Sequence, residues 1–309
     1  MNYFVTGGAG FIGSNFVQML LTNQLGPVSK ITVFDKLTYA GNLENLREVA
    51  SDPRFNFIQG DICDEELVRS SISPSDIIVH FAAESHVDRS ISGPSEFIRT
   101  NVQGTQVLLS AAVEKNAGIF LHVSTDEVYG SVAQGSSLET DPLLPNSPYS
   151  ASKAASDLIV RSYVQTYGLD ARITRSCNNY GSNQYPEKLI PLAIKKLYEG
   201  EKIPLFGNGR NSREWIHVTD HCRGIQLVIE KGSIGEIYNI GSNQSFTNIE
   251  IAEMILSAFN LTTQSLEYVE DRPGHDFRYS LNCEKLNQKL NFKVLKKIED
   301  EIANLVNLN

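Results

Sequence analysis

Short apolar runs alternate with longer amphipathic segments over the first part of the chain. The runs at residues 3–6, 31–34, 55–58, 77–81, 119–123 and 171–174 have the length and composition of buried strands. The segments between them are long enough for helices, and the clearest of these span residues 94–115 and 148–167. Strands that alternate with helices in this way indicate an α/β fold with a doubly wound parallel sheet.

The alternation changes after Arg175. The sequence Asn178-Asn179-Tyr180-Gly181 interrupts it, and a separate helix is predicted at 186–197. A strand at 216–218, a helix at 219–230 and a strand at 236–240 look like one more unit that returns to the first sheet, and shorter helices follow at 248–259 and 283–290. We therefore expect a Rossmann-like lobe of residues 1–176 plus about 214–245, and a smaller mixed α/β lobe of about 177–213 plus 246–309 that binds the substrate.

A glycine-rich loop, Gly7-Gly8-Ala9-Gly10-Phe11-Ile12-Gly13, separates the first predicted strand from a helix that runs to about residue 24. Gly7 permits a tight turn, Gly10 lets the backbone approach a diphosphate, and Gly13 allows the helix to pack against the strand. Asp35 ends the second strand, where its carboxylate suits an adenosine ribose and would repel a ribose 2′-phosphate. This pattern favours NAD over NADP. Asp61 is placed to reach the adenine, and Ala82 and Ala83 would let backbone lie against the cofactor.

Candidate chemistry lies at the end of the fifth strand and at the start of the helix that follows. Thr125, Asp126 and Glu127 come at the carboxyl end of that strand, where open α/β sheets bind ligands. Ser147 and Pro148 form a helix-start signal that puts Tyr149 and Lys153 one turn apart. Adjacent acids in loops are mostly solvated, and such Tyr/Lys pairs also arise by chance. Their interpretation therefore depends on the rest of the chain.

Composition narrows the classes of function. The 309 residues carry 36 acidic and 27 basic side chains, a net charge of -9, which argues against nucleic-acid binding and means that an anionic ligand needs a few well-placed arginines. We find no signal segment and no membrane-length apolar run. The four cysteines show no CxxC spacing, so we expect neither zinc nor disulfides, and a reduced cytoplasmic protein. We interpret His217 and His221 as structural, with no metal bound.

Eight motifs together resemble the nucleotide-sugar 4,6-dehydratases of the extended short-chain dehydrogenase/reductase family, most closely those that act on dTDP-glucose. They are GGAGFIG, DKLTYAGN, AAESHVDRS, STDEVYG, YSASK, NNYG, PEKLIPL and DRPGHD, spread from Val5 to about Tyr279. The glycine loop and the Tyr149/Lys153 pair mark only the wider family. AAESHVDRS, TDE and DRPGHD are the segments that single out the dehydratases.

The resemblance implies a reaction in three parts on a nucleoside-diphosphate glucose. C4 is oxidised by tightly bound NAD⁺, water is eliminated across C5 and C6, and the hydride returns to C6. Tyr149 is then the base for O4 and Lys153 lowers its pKa, Thr125 hydrogen-bonds O4, Glu127 removes the C5 proton, and Asp126 protonates the leaving 6-hydroxyl. Unequal burial and like-charge repulsion can give adjacent carboxylates opposite proton roles.

The same resemblance implies the binding residues. For the cofactor they are Gly7, Gly10, Phe11, Ile12, Gly13, Asp35, Lys36, Thr38, Asp61, Ile62, Ala82, Ala83, Thr100, Tyr149, Lys153 and Asn179. For the substrate they are Ser85, Thr125, Asn178, Lys188, Leu189, Pro204, Phe206, Arg213, Asn248, Arg272 and His275, with the two arginines on the diphosphate. The chain departs from the family pattern at Phe206, where Tyr is common, at Ser182, where Pro is usual, and in a short C-terminal segment whose packing is left open.

Several alternatives share these features. UDP-glucose could replace dTDP-glucose, since the two bases differ by one methyl group. Nucleotide-sugar 4-epimerases and UDP-glucuronate decarboxylases share the sheet, the glycine loop and the Tyr/Lys pair. The Asp126/Glu127 pair separates them, because epimerases need no C5 base and no O6 acid, and the decarboxylases resemble Thr-Ser-Glu at this point, without the acid. A non-catalytic NAD-sensing regulator could use the same fold but need not keep every catalytic side chain. We expect a 4,6-dehydratase that forms a homodimer through helices 94–115 and 148–167.

Overall fold

The computed structural model describes residues 1–271 and 273–307. Within these residues a seven-stranded sheet has the order β10-β6-β5-β4-β1-β2-β3, and its neighbouring strands are parallel. A three-stranded sheet (β11-β9-β7) and a two-stranded sheet (β12-β8) lie outside it. The strands are β1 Asn2–Thr6, β2 Lys30–Asp35, β3 Phe55–Gln59, β4 Ile77–His80, β5 Ile119–Thr125, β6 Ala171–Ser176, β7 Asn178–Tyr180, β8 Ile203–Phe206, β9 Ser212–His217, β10 Ile237–Ile240, β11 Ser245–Thr247 and β12 Leu266–Val269.

Helices cover both faces of the large sheet and also pack in the smaller lobe. The helices of the described residues are α1 Phe11–Leu21, α2 Glu65–Ser71, α3 Val87–Ser92, α4 Pro94–Phe97, α5 Thr105–Glu114, α6 Pro148–Tyr167, α7 Leu189–Tyr198, α8 Val218–Lys231, α9 Asn248–Ala258, α10 Glu284–Leu290 and α11 Ile298–Asn307. Short 3-10 turns occur at Leu43–Val49, Asp126–Tyr129 and Thr263–Ser265. None of the helices in the described part of the chain combines the length and the apolar character needed to cross a membrane.

The predicted fold class is confirmed, because each apolar run of the first part of the chain forms a strand of the large parallel sheet. The sheet reverses its order between β1 and β4, and open α/β sheets bind ligands outside the carboxyl ends of their strands at such a point. The 236–240 run also joins this sheet, as β10 beside β6. The strand predicted at 216–218 was expected to return to the large sheet. This was wrong, because the strand observed there, β9, pairs with β7 and β11.

The helix predicted at 94–115 is divided by a π-helical segment, Ile98–Gly104, between α4 and α5. Asn101 lies in this segment and is buried. Its amide Nδ2 donates to the Glu84 carbonyl at 3.0 Å and to Ser152 Oγ at 2.8 Å, and its Oδ1 accepts from the Glu84 amide at 2.8 Å. The wider turn therefore joins the loop after β4 to α6, and π-helical turns often accompany functional sites.

Three apolar cores hold these layers together. One lies under the face of the sheet that α1 and α8 cover, and a second lies under α5 and α6 on the opposite face. A third fills the smaller lobe between α7, α9 and β8. The C-terminal segment, left open by the sequence, forms α11, and its Ile298, Ile302 and Val306 are buried in this third core.

Candidate active site

A cavity of about 450 Å³ opens at the carboxyl ends of the large sheet's strands and extends to the smaller lobe. Nearly all the predicted site residues in the described part of the chain line it. Asp126 is the exception, because it is buried behind the cavity wall at 2% exposure. Arg272, predicted to bind the diphosphate, lies outside the described residues. The chain thus brings together groups that are far apart in its sequence.

The glycine loop forms one end of the cavity, between β1 and α1. Gly7 has φ +68°, and a side chain there would lie 2.6 Å from the backbone nitrogen of Ala82. A side chain at Gly13 would lie 2.3 Å from the Gly7 carbonyl oxygen, so it would collide with the loop itself. Gly10 precedes the first helical residue, and a side chain at this position would meet the Gly7 carbonyl oxygen at 3.3 Å. Backbone amides at the start of a helix with no side chains in the way suit a diphosphate.

Two carboxylates mark the nucleoside end of the cavity. Asp35 accepts hydrogen bonds from the Leu37 amide at 2.8 Å and the Ala9 amide at 2.9 Å, which fix its orientation, while burial raises its pKa. Burial would also raise the pKa of Asp61. There, however, the Cys63 amide together with Lys36 and Arg99, 3.0 and 2.8 Å away, outweighs burial and lowers the pKa to about 2. Both carboxylates are therefore oriented by their neighbours, so that they can accept hydrogen bonds from the hydroxyl or amino groups of a nucleoside.

The predicted acid and base stand at the end of β5, where the strand passes into the 3-10 turn Asp126–Tyr129. Burial, and then the charges of Glu127 and Glu214, raise the pKa of Asp126 well above its ordinary value, which favours the protonated form of this carboxyl. Its Oδ2 is buried and has no hydrogen-bond partner among the described residues. Glu127, by contrast, lines the cavity. The two neighbouring carboxyls thus have different environments, which can give them different proton roles.

Glu214 is a buried acid that sequence reasoning did not select. Its carboxylate accepts from the Asn243 amide at 2.7 Å and the Leu281 amide at 3.1 Å, and these bonds hold a negative charge behind Asp126. Its position next to Arg213 in the sequence was a weak signal for a role at the site. Glu214 comes close to Asp126 through tertiary structure, because β9 pairs with β7 and β11.

Tyr149 and Lys153 project from the first turns of α6. The capping box between Ser147 and Ser150 confirms the predicted helix start. Burial, and then the Glu127 charge, raise the pKa of Tyr149, whereas a hydrogen bond with Thr125 lowers it. Burial lowers the pKa of Lys153 to about 8. The Lys153 ammonium donates to the Val123 carbonyl at 2.8 Å, and its lowering of the Tyr149 pKa stays a prediction.

Behind Lys153 lies a buried polar network that the sequence did not reveal. The Lys153 Nζ is 3.5 Å from His122 Nε2, which is 3.5 Å from Asp157 Oδ1. Arg175 donates to Asp157 at 2.8 Å and to the Tyr129 hydroxyl at 2.8 Å. The pKa of His122 is lowered to about 4, chiefly by burial, so the ring is neutral at pH 7. The network holds the side chains that lie next to Lys153 in defined positions.

The substrate end of the cavity is built by both lobes. Arg213 stacks on the Tyr279 ring with its guanidinium carbon 4.4 Å from the centroid, and it donates to the carbonyls of Ser212 and Asp276, each at 2.8 Å. Lys188 Nζ donates to the Ser85 carbonyl at 3.3 Å. The Phe206 ring is 38% exposed at the mouth of the cavity, where a flat base could stack on it.

Further predicted residues have defined surroundings. Asn179 Oδ1 is 2.8 Å from His221 Nδ1, and Asn179 Nδ2 donates to Ser176 Oγ at 3.0 Å. His275 Nδ1 lies 2.6 Å from Asp271 Oδ1. Leu189 begins α7 and Asn248 begins α9, so both face the cavity from helix starts.

An ion-pair cluster spans the cavity from α3 to the loop before α7. Arg89 and His86 lie 2.9 and 3.1 Å from the Glu187 carboxylate, and the Arg89 guanidinium carbon lies 4.0 Å from the centroid of the Tyr39 ring. These residues belong to three motifs that the sequence had singled out, yet their mutual contact was not predicted. Glu187, His86 and the neighbouring Tyr185 also line the cavity.

Comparisons with known proteins agree with this site. The family model described as GDP-mannose 4,6 dehydratase matches residues 4–305. A dTDP-glucose 4,6-dehydratase of Actinoplanes sp. is 50% identical over 99% of this chain and 97% of its own length. The solved structure of DesIV, a dTDP-glucose 4,6-dehydratase from Streptomyces venezuelae with NAD bound, has a TM-score of 0.97 at 53% identity, with 99% of this chain and 96% of that chain covered. A UDP-glucose 4-epimerase from Thermotoga maritima has a TM-score of 0.90 at 28% identity over 99% of this chain and 98% of that chain.

Proposed function

Because this chain belongs to the GDP-mannose 4,6 dehydratase family and, within it, to the dTDP-glucose 4,6-dehydratases, we propose that its cavity carries out their reaction. The protein converts dTDP-glucose into the 4-keto-6-deoxy sugar in an NAD-dependent dehydration. One observation carries the mechanism most directly, namely a buried Asp126 with a raised pKa next to Glu127 in the cavity wall, with Tyr149 and Lys153 on the facing helix. Epimerases share the fold at much lower identity, and their reaction requires no elimination of water.

The residues at the glycine loop fit NAD. A diphosphate can approach the backbone where side chains at Gly7 and Gly13 would collide with other backbone atoms, and Asp35 is oriented for a ribose. NAD, when bound, accepts the C4 hydride and supplies it again at C6. Lys153 anchors the nicotinamide ribose, with Asn179 close by. The adenosine end of the cavity is lined by the remaining cofactor residues, Asp61, Lys36, Thr38, Ile62 and Thr100.

The chain's own groups then move the protons. Tyr149 takes the O4 proton while Thr125 hydrogen-bonds O4, and the resulting ketone acidifies C5. Glu127 removes the C5 proton from the cavity side, and Asp126 delivers its proton to the departing 6-hydroxyl, which leaves as water. When the hydride returns to C6, Glu127 gives its proton back to C5.

The opposite end of the cavity holds the nucleoside diphosphate. Arg213 binds its phosphates and Lys188 lines the same cavity, while Phe206 and Pro204 provide a surface for the base. Arg272, by its motif, is the second arginine proposed for the phosphates. The other predicted substrate residues line the same cavity, namely Ser85, Asn178, Leu189, Asn248 and His275. Arg213 already donates three of its five N–H groups to backbone carbonyls, so the diphosphate must meet the remaining donors or displace one of these bonds.

The substrate test offers dTDP-glucose and UDP-glucose in parallel to the purified protein. We expect the 4-keto-6-deoxy product, measured by mass spectrometry, to form from dTDP-glucose with the higher kcat/KM. Equal kcat/KM values would show that the base is not selected. Formation of nucleotide-linked galactose, without loss of water, would contradict the dehydratase mechanism.

Replacing Asp126 with Asn should slow the loss of the 6-hydroxyl by roughly 10²–10⁴-fold while leaving C4 oxidation largely intact, because only the general acid is removed. In a single turnover the reduced nicotinamide should therefore accumulate, visible by its absorbance, before the product appears. The conservative Asp126→Glu variant keeps an acid and serves as the control. An unchanged rate of dehydration in Asp126→Asn would remove the assigned role.

We further propose a homodimer formed through α5, α6 and the π-helical segment. Large apolar side chains are exposed along these elements, with Leu158 at 56%, Ile98 at 51% and Tyr167 at 59%. Sedimentation velocity should give a dimer for the wild type and a monomer for Leu158→Glu, because a buried charge without a partner is costly. A wild-type monomer throughout the micromolar range would overturn this proposal.

Two further proposals concern organisation and location. The lobe bounds of 1–176 plus about 214–245 and of about 177–213 plus 246–309 are supported by the membership of β6 and β10 in the large sheet, although β9 begins before 214 and pairs outside it. A cytoplasmic location is supported by four free cysteines, of which Cys177, Cys222 and Cys283 are buried.

A further inference from the structure

The Thr125 hydroxyl lies between the predicted base and the predicted acid. Its Oγ1 donates to Asp126 Oδ1 at 3.2 Å and accepts from the Glu127 amide at 3.3 Å. A hydrogen-bond contribution from Thr125 lowers the pKa of Tyr149, and both side chains line the cavity. A hydroxyl has one proton and two lone pairs, so a Thr125 that donates to Asp126 can accept from Tyr149 once Tyr149 carries a proton. The three side chains can therefore form a directed chain from Tyr149 through Thr125 to Asp126.

The proton balance of the reaction, which rests on the proposed function, shows why such a chain is needed. Tyr149 takes the O4 proton and cannot return it to the sugar, because the product keeps the 4-ketone. Asp126 gives a proton to the 6-hydroxyl, which leaves as water. Glu127 takes the C5 proton and returns it to C5. At the end of each turnover Tyr149 therefore holds one proton too many, and Asp126 lacks one.

Both groups are largely buried. Asp126 is 2% exposed and Tyr149 is 9% exposed. Thr125 and Tyr149 line the cavity, whereas Asp126 does not. The two carboxylate oxygens of Asp126 have different surroundings, because Oδ1 accepts from Thr125 whereas Oδ2 is buried and has no partner among the described residues. Thr125 is therefore a cavity-lining group through which a proton can reach Asp126.

We propose that Thr125 is a proton relay that restores the active site by passing the proton from Tyr149 to Asp126. The Thr125 O–H bond breaks as its proton joins Asp126 Oδ1, and the Tyr149 O–H bond breaks as its proton joins Thr125 Oγ1. Tyr149 becomes a phenolate and Asp126 becomes a carboxylic acid, so one negative charge moves and no electrons are transferred between redox states. Thr125 is unchanged at the end.

The electrostatics of the site also indicate when this transfer occurs. Burial and the neighbouring charges raise the pKa of Asp126, which makes its carboxylate a strong proton acceptor. The Glu127 charge raises the pKa of Tyr149 and so opposes formation of the phenolate. That charge is neutralised while Glu127 carries the C5 proton. The transfer is therefore easiest after water has left and before C5 is reprotonated.

The test compares Thr125→Val, which replaces the hydroxyl with a methyl group, with Thr125→Ser, which keeps the hydroxyl. Rapid-quench measurements follow product in the first turnover and in the steady state. We expect Thr125→Val to form one product per active site in a burst and then to turn over at least 10-fold more slowly than its own first turnover. Thr125→Ser should show no burst. Formate in the buffer should accelerate the slow phase of Thr125→Val and leave the burst rate unchanged.

A purely local role of Thr125 in binding O4 predicts a different result. The first turnover and the steady state of Thr125→Val would then be slowed equally, with no effect of formate, and this outcome overturns the relay. Thr125→Ala, which loses the hydroxyl without gaining a methyl group, provides the same comparison if the valine variant does not fold. Failure of the proposed function is distinct, because wild-type protein would then give no keto product at all.

Discussion

Replacing Glu127 with Gln is expected to abolish exchange of the sugar C5 proton with solvent while NAD and substrate still bind. The amide has nearly the same shape as the carboxylate but cannot accept the proton, and loss of a general base costs roughly 10²–10⁴-fold in rate. Tyr149 and Lys153 remain, so C4 oxidation should continue. In heavy water, mass spectrometry should find no deuterium at C5, and the reduced nicotinamide should persist.

Glu127→Asp is the matched control, since it keeps the base but withdraws it by one methylene group. We expect slower but measurable exchange in this variant. The Glu127 charge also raises the pKa of Tyr149, so in Glu127→Gln the rate of C4 oxidation should begin to rise at lower pH, which shifts the acidic limb of its pH profile. Full deuterium incorporation by Glu127→Gln would show that another group removes the C5 proton.

The second large effect is expected at Gly13, where Ala should deprive the protein of its cofactor. The new methyl group would lie 2.3 Å from the Gly7 carbonyl and 2.9 Å from Gly8 Cα, both backbone atoms that cannot rotate away. The start of α1 must then shift, and the loss of even two amide bonds to a charged diphosphate amounts to about 3 kcal/mol. This corresponds to roughly 100-fold weaker NAD binding.

Calorimetric titration with NAD and the cofactor content of purified protein would measure this loss. Gly93→Ala is a suitable control, because its added methyl group would meet only the Arg89 carbonyl at 3.7 Å. Ala is otherwise the better helix former, by about 1 kcal/mol. Unchanged NAD affinity in Gly13→Ala would therefore mean that the cofactor does not rely on the loop as we describe it.

Local patterns were sufficient for the large sheet and for most of the cavity. The apolar runs before Arg175 are short and most of them are followed by a helix, so their pairing into one parallel sheet follows from chain connectivity. The motif residues lie at strand ends, and parallel strands bring such ends to one edge. The start of α6 was predictable for a similar reason, since Ser147 and Pro148 act within a single turn.

Contacts between segments distant in sequence were not predictable in this way. Glu214 affects Asp126 only because β9 pairs with β7 and β11, and no periodicity near residue 214 specifies those partners. The Arg175 and Asp157 pair joins a strand to a helix within the core. Arg213 was expected to point at a phosphate, yet its first partners are backbone carbonyls of a loop more than sixty residues away. In each case tertiary structure determines the partner.

The π-helical segment makes the length of one helix as important as its composition. Each residue of an α-helix turns the chain by about 100° around the axis, so removing one residue from Ile98–Gly104 would rotate everything on one side of the cut relative to the other. Phe97 packs edge-on against Tyr149, and Asn101 bonds to Glu84 and Ser152. A deletion that straightened the helix would break one of these alignments even if every remaining side chain were kept. In this stretch a change in residue count should therefore be tolerated less well than many substitutions.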